Sequence, residues 1–205
     1  MSSRYQATGA QGTWQPGSND KVLANKLGIV NPAEMAEAEL VLLAKLYAAV
    51  LIDDLPDRRL EVADLKTWHR RWLGNLYDWA GEERSVNLSK GDFHFAAAPQ
   101  IPRLLTAFDR DCLSRFTPCH AMGGDNLADA VAITHVELIL IHPFREGNGR
   151  LSRLLADVMA VQAGCDPLDY SNWDADKAAY FSAIQQGLVR NYEPMTRLVA
   201  EALET

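Results

Sequence analysis

Residues 136–153 read Val136-Glu137-Leu138-Ile139-Leu140-Ile141-His142-Pro143-Phe144-Arg145-Glu146-Gly147-Asn148-Gly149-Arg150-Leu151-Ser152-Arg153. An apolar run stops at a loop dense in polar groups, and helical periodicity restarts beyond it. Pro143 disfavours α geometry at His142, so the first helix is expected to end there with the imidazole turned outward rather than into the bundle. Phe144 is suited to anchor the loop in a core. Gly147-Asn148-Gly149 opens the second helix, where backbone N–H groups and the positive end of the helix dipole form an anion-binding nest. Arg150 and Arg153, three apart in its first turn, add two permanent cations on one face, directed at the same place. Glu146 supplies one hard oxygen ligand at the mouth of the nest. That suits Mg²⁺, which takes one or two carboxylates and completes its shell with phosphates and water. A base, a polyphosphate cradle and a metal ligand converge in one helix–loop–helix.

Singly, each of these groups has a plainer reading. A lone histidine after an apolar helix is usually a satisfied structural residue, Gly-Asn-Gly is a common turn, and paired arginines often decorate a surface. Their combination within so short a stretch argues for a site. His69, His94, His120 and His135 make no metal-ligand spacing with another His or Cys and are read as structural.

Outward from the loop the chain is mainly helical. Residues 1–30 form an irregular arm rich in Gly, Gln, Ser and Thr, with Tyr5 and Trp14 able to pin it to the core; residues 31–205 form the single globular unit. Asn31-Pro32 supplies an N-cap and a first-turn proline, with Glu34, Glu37 and Glu39 near the positive end of the helix. Leu40, Leu43, Leu46, Tyr47 and Val50 continue it as an amphipathic helix to about Ile52. A second helix after Pro56 carries Leu65, Trp68, Trp72, Leu73, Leu76 and Trp79, with the tryptophans read as core. Between Arg84 and Ala98, Val86, Leu88, Phe93 and Phe95 alternate with polar residues across Lys90-Gly91-Asp92, which predicts a short β-hairpin. Further helices follow Pro99, Gly124 and Gly147, and two more lie within Trp173 to Leu203. The fold class is therefore all-α with one short β-hairpin.

With 205 residues, 48% of them hydrophobic, the chain suits one domain with a substantial core. Its net charge of −7 argues against direct binding to nucleic-acid phosphates. Three cysteines without CxxC spacing, Cys112, Cys119 and Cys165, read as buried thiols in a reducing compartment. No apolar run approaches the ~18–20 residues needed to span a bilayer. A cytoplasmic protein, off the membrane, is expected.

His142-Pro143-Phe144-Arg145-Glu146-Gly147-Asn148-Gly149-Arg150-Leu151-Ser152-Arg153 resembles the signature of the Fic (Fic/Doc) family, HPFx(D/E)GNGRxxR, and matches every fixed position. Tyr77-Asp78-Trp79-Ala80-Gly81, Arg84 and Lys90-Gly91 are similar to the family's segment leading into its flap. Gly17-Ser18-Asn19 through Asn25-Lys26-Leu27-Gly28-Ile29 resembles the arm of bacterial Fic toxins and effectors. The resemblance implies a protein adenylyltransferase that moves AMP from Mg·ATP to a Ser, Thr or Tyr hydroxyl of a target protein. In that scheme His142 is the general base and Glu146 holds Mg²⁺. Gly147, Asn148 and Gly149 cradle the phosphates, with Arg150 and Arg153 on the β and γ groups. The flap, about Ser85 to Ala97, pairs with an extended target segment, chiefly through Lys90, Gly91, Asp92, Phe93, His94 and Phe95. Tyr180 on a late helix is the candidate for the adenine pocket.

Gly149, where phosphorylating members carry Lys, favours adenylylation. A nucleotide-binding module without turnover, or transfer from another nucleotide donor, is the alternative. The family's inhibitory pattern (S/T)xxxE(G/N) is absent, since no glutamate here has Ser or Thr four residues before it. That absence points to a small antitoxin acting in trans, or to an effector acting in a host-cell cytoplasm with no such brake. Similar bacterial toxins make type II DNA topoisomerases candidate targets.

Overall fold

The computed structural model describes residues 6–7, 10–120 and 122–204. In chain order, β1 (Gln6–Ala7) precedes a helical turn at Ala10–Gly12, then α1 (Pro32–Tyr47), α2 (Val62–Leu73), β2 (Leu88–Lys90) and β3 (Phe93–His94). Next come α3 (Ile101–Phe108), α4 (Ser114–Phe116), α5 (Asp125–Ile141), α6 (Asn148–Gln162), α7 (Ser171–Ala175), α8 (Lys177–Gln186) and α9 (Glu193–Leu203). The fold is mainly helical, with a small sheet at one margin.

α5 is apolar nearly all round, and such a helix is stable only when buried. It packs against α6 and α9, and Leu127, Val131, Val136 and Leu138 are fully enclosed. Each such side chain contributes roughly 1.5–3 kcal/mol of burial. α1 is capped as expected, with the Asn31 side chain accepting from the Ala33 N–H at 2.8 Å and proline in the first turn. It continues as a π-helical segment, Ala48–Asp53. The buried stripe, however, runs Met35, Glu39, Leu46 and Val50, whereas Leu40 is 63% exposed. Leu43, Leu46, Tyr47 and Val50 face the core as expected, but at the N-terminal end Glu39 takes the inward place expected of Leu40. α2 ends at Leu73, so Leu76 and Trp79 lie beyond it; Trp68 and Trp72 are core and Trp79 packs at its edge.

The predicted hairpin is present. Ser89 pairs with His94 and Lys90 with Phe93, across a turn in which Gly91 takes φ +57°, a conformation that favours glycine. The arm is more ordered than its composition implies. β1 adds to the outer edge of β2 in an antiparallel three-stranded sheet, and Trp14 bridges Leu23 while packing on the core. The Asn25 side chain organises the arm's end, donating to the Leu23 and Ile29 carbonyls and accepting from the Leu27 and Ile29 N–H groups. Tyr5 lies outside the described residues. After α6 there are three helices rather than two, starting at Ser171. Cys112 and Cys119 are buried and Cys165 only half so; burial pushes the first two thiols up to about 12.

Candidate active site

α5 ends because His142 adopts left-handed geometry, φ 51° and ψ 59°, and Pro143 cannot continue the helix. Its N–H still donates to the Leu138 carbonyl at 2.9 Å, closing the last turn. The ring does not face outward, as the sequence led us to expect. It is 2% exposed, stacked beneath Phe95 of the flap at 3.7 Å between centroids. Pro143 turns the residue out of the helix, but the flap then covers it. Nδ1 lies 3.2 Å from the Ile139 carbonyl. A carbonyl only accepts, so Nδ1 carries the proton and Nε2 keeps its lone pair. Burial, helped by the nearby charges of Arg84 and Lys90, pushes the imidazole down to about 3. It is neutral at physiological pH, the form a general base requires.

The loop is held by buried contacts. Phe144 stacks on His69 at 4.0 Å, with ring planes 12° apart. His69 accepts from the Gly81 N–H at Nδ1, at 2.8 Å, and donates from Nε2 to the Glu146 carbonyl at 3.0 Å. It is structural, as expected, yet it shapes the nest. The Asn148 side chain closes the loop on itself, accepting from the Phe144 N–H at 2.9 Å and donating to the Phe144 carbonyl at 2.8 Å. What Asn148 can offer a phosphate is therefore its backbone. Gly147 caps α6 at φ +84°, and Leu151 N–H donates to its carbonyl at 2.9 Å. The N–H groups that precede Leu151 are those a helix start directs outward.

Gly147 cannot be replaced without strain. A Cβ there would lie 2.6 Å from Cζ3 of Trp72, in a backbone conformation that L side chains rarely adopt. Gly147→Ala is expected to cost on the order of 3 kcal/mol, from positive φ and overpacking together. A Cβ at Gly149 meets no atom within 4 Å, so Gly149→Ala should leave stability within about 0.5 kcal/mol. Urea midpoints of the two variants check this; equal midpoints would contradict the packing described.

Both arginines are held by acids, and Arg150 also reaches Glu146 at 3.5 Å. Arg150 lies over the Trp72 ring at 4.6 Å and pairs with Glu39 at 2.8 Å. Glu39, 4% exposed, also accepts from the Tyr77 hydroxyl at 2.8 Å. Arg153 forks onto Asp174 at 2.8 and 3.2 Å, with Tyr170 beneath its guanidinium. The two pairs differ in strength. Glu39 is buried, and leaving a buried charge without its partner is costly. The Asp174 side chain, by contrast, is 56% exposed, and exposed pairs contribute about 0–1 kcal/mol. A phosphate can take Arg153 from Asp174; Arg150 stays anchored. Glu146 is half-buried, its Oε1 accepting from the Gly147 N–H at 3.1 Å.

The flap faces α8. Lys90 lies 3.6 Å above the Phe181 ring, and Phe93, Phe95, Ile139, Phe181 and Ile184 line a cleft of about 160 Å³. Tyr180 is not among the cleft's lining. Its ring stacks on Trp173 and its hydroxyl lies 2.8 Å from Nε2 of buried His135, so its neighbour Phe181 takes the cleft position. Sequence reasoning missed Glu39, Asp174 and Gln11. Gln11 accepts from Arg145 Nε at its carbonyl and from the Ser85 N–H at Oε1, both at 2.9 Å. A signal existed for Glu39, a charge four residues after Met35 and seven before Leu46 on an apolar stripe; for the others there was none.

Residues 59–160 match the model of the Fic/DOC family. The chain is 28% identical to a probable protein adenylyltransferase of Sinorhizobium fredii, over 73% of this chain and 74% of that protein. It is 25% identical to the probable protein adenylyltransferase Fic of Escherichia coli, over 90% of each. It spans only 27% of a longer relative, protein adenylyltransferase fic-1 of Caenorhabditis briggsae, at 30% identity. Among solved structures, the Fic domain of a VirB-translocated Bep effector from Bartonella quintana with bound ADP superposes with a TM-score of 0.71. Identity there is 25%, covering 88% of this chain and 89% of that one. The matched residues include the neutral histidine at a left-handed helix end and the glycine-led helix start with its two guanidinium groups, and the chain belongs to the Fic/DOC family.

Proposed function

We infer that this chain is a protein adenylyltransferase, transferring AMP from ATP to a hydroxyl of a target protein. The observation that carries this is the neutral His142 imidazole, its acceptor nitrogen fixed by the Ile139 carbonyl, one loop away from the nest at the start of α6. The target hydroxyl oxygen attacks the α-phosphorus, the bond from that phosphorus to the bridging oxygen breaks, and pyrophosphate leaves. The hydroxyl proton passes to Nε2 of His142 and then to solvent. The α6 N-terminus, Arg150 and Arg153 hold the polyphosphate, and positioning with charge neutralisation supplies most of the rate in such transfers.

Among the described residues no cluster of three ligating side chains exists. The single carboxylate of Glu146 therefore fits an ion that arrives with the polyphosphate, as Mg²⁺ does. When bound, Mg²⁺ would neutralise charge on the departing pyrophosphate. Because β1 occupies one edge of β2, β3 is the flap edge we assign to the target strand, which would pair there by β-augmentation. Phe95 must then move aside to admit the hydroxyl to His142.

Incubating the protein and a cell lysate with ATP labelled on either the α- or the γ-phosphate tests this reading. Beyond the labelling of lysate without the protein, added label on protein should come from the α position, and the γ label should leave with pyrophosphate. Protein labelled from the γ position would mean phosphorylation, and nucleotide binding with neither label would mean a module without turnover. In biological terms we favour an effector or toxin acting in a cytoplasm, its own or a host's. An antitoxin acting in trans fits the lack of the inhibitory pattern, and a type II topoisomerase fits as target. No helix among the described residues is long and apolar enough to cross a membrane.

A further inference from the structure

Arg84 is almost fully buried, and its guanidinium donates to four main-chain carbonyls. Nε reaches His142 at 2.6 Å and Nη1 reaches Val86 at 2.6 Å, while Nη2 reaches Ala96 at 2.6 Å and Ile141 at 3.3 Å. Val86 precedes β2 and Ala96 follows β3, so one cation joins both legs of the flap to the end of α5. Its backbone N–H adds a bond to the Pro143 carbonyl at 2.8 Å, and the Ala96 N–H one to Leu140 at 3.2 Å. A buried cation is costly unless its donors are satisfied. Only a planar fork can reach three separate segments, because lysine concentrates its donors on one nitrogen. The carbonyl that Nε holds belongs to His142 itself, the residue with left-handed backbone.

We propose that Arg84 is a positioning residue for the transfer. It fixes the angle between the flap, which would hold the target strand, and the backbone carrying His142, so that a hydroxyl presented along β3 meets Nε2 in line with the α-phosphorus. The same charge adds to burial in keeping the imidazole neutral. The proposal rests on the adenylyltransferase reading, but the clamp can be tested without it.

Arg84→Lys keeps the charge and removes the fork. Its kcat for a protein target is expected to fall about 10²-fold, as for a misplacement of roughly 1 Å, with the Kd for ATP within twofold and a cooperative urea transition retained. A kcat within threefold of wild type would overturn the proposal, as would an equal loss of ATP affinity, which marks general disruption. Hydrogen exchange supplies an arm independent of activity. In the wild-type protein the Arg84 and Ala96 amides should exchange as slowly as those of α5, and at least tenfold faster in Arg84→Lys. Exchange at the rate of the flap tip in the wild-type protein would refute the clamp even if Arg84→Lys failed to fold. Slow exchange without any AMP transfer would refute the functional reading and leave the clamp standing.

Discussion

His142→Ala is expected to cut AMP transfer by roughly 10²–10⁴-fold, the contribution of a positioned general base, while ATP still raises the melting temperature. The expectation follows from how the three buried imidazoles are held. His69 has Nδ1 filled by the Gly81 N–H and donates from Nε2 to Glu146. His135 lies between the Ser152 and Tyr180 hydroxyls, each 2.8 Å from one of its ring nitrogens. His69 cannot take a proton without losing the Gly81 bond, and both ring nitrogens of His135 are already engaged in the core. His142 is bound through Nδ1 to a carbonyl, so its other nitrogen is the one placed for proton transfer. Its Nδ1 bond goes back to Ile139 of α5, whereas the nest rests on Asn148, His69 and Trp72. Nucleotide binding and its linked stabilisation should persist. Transfer within tenfold of wild type in a folded variant would show that the proton leaves by another route.

Acidification is expected to destabilise the fold steeply below pH 6.5. Burial pushes His69 down to about 4, and His135 and His142 down to about 3, whereas an unfolded histidine titrates near 6.5. Above that pH neither state binds the proton and the native state has its full stability. Between about 6.5 and the native values, the unfolded chain takes up three protons that the native chain refuses, so stability falls as pH falls. The loss is complete once pH has passed through the native values. Asp157 acts in the opposite sense, because burial raises it to about 6. Below that pH the native state binds a proton that the unfolded state takes up only near 3.8, which offsets one of the three. The net slope is at most about 2.7 kcal/mol per pH unit between roughly pH 5.5 and 4. Urea unfolding at pH 7, 5.5, 4.8 and 4 measures it, and a midpoint that stays constant would mean these rings accept protons in place.

The helix–loop–helix was legible because its information is local: periodicity on both sides, proline after histidine, glycines at a helix start. The hairpin was legible for the same reason. What stayed hidden depends on distant partners. Arg84 could be matched to a family segment, but its place among four carbonyls could not be read from the chain. Asp174 acquires meaning only from Arg153, and Gln11 only from Arg145 and Ser85. The two residues of β1 are too few to show alternation. The exchange of Leu40 and Glu39 in α1 had a different origin. Leu40 was assigned to the buried stripe because apolar residues usually go inward, while Glu39 was assigned to the helix dipole. The structure reverses the two, since Glu39 finds Arg150, Tyr77 and Trp72 inside.

The bond between Gln11 and Arg145 joins groups 134 residues apart, and the ion pair of Arg153 reaches forward to Asp174. α9 lies along α5, the helix that delivers His142. A ribosome that has released residues only as far as 165 has therefore exposed the whole motif but not Asp174, Tyr180 or the helix that covers α5. Contacts this remote along the chain form late, and domains generally close as units. The motif is thus complete in sequence well before α9 can pack on the helix that carries His142.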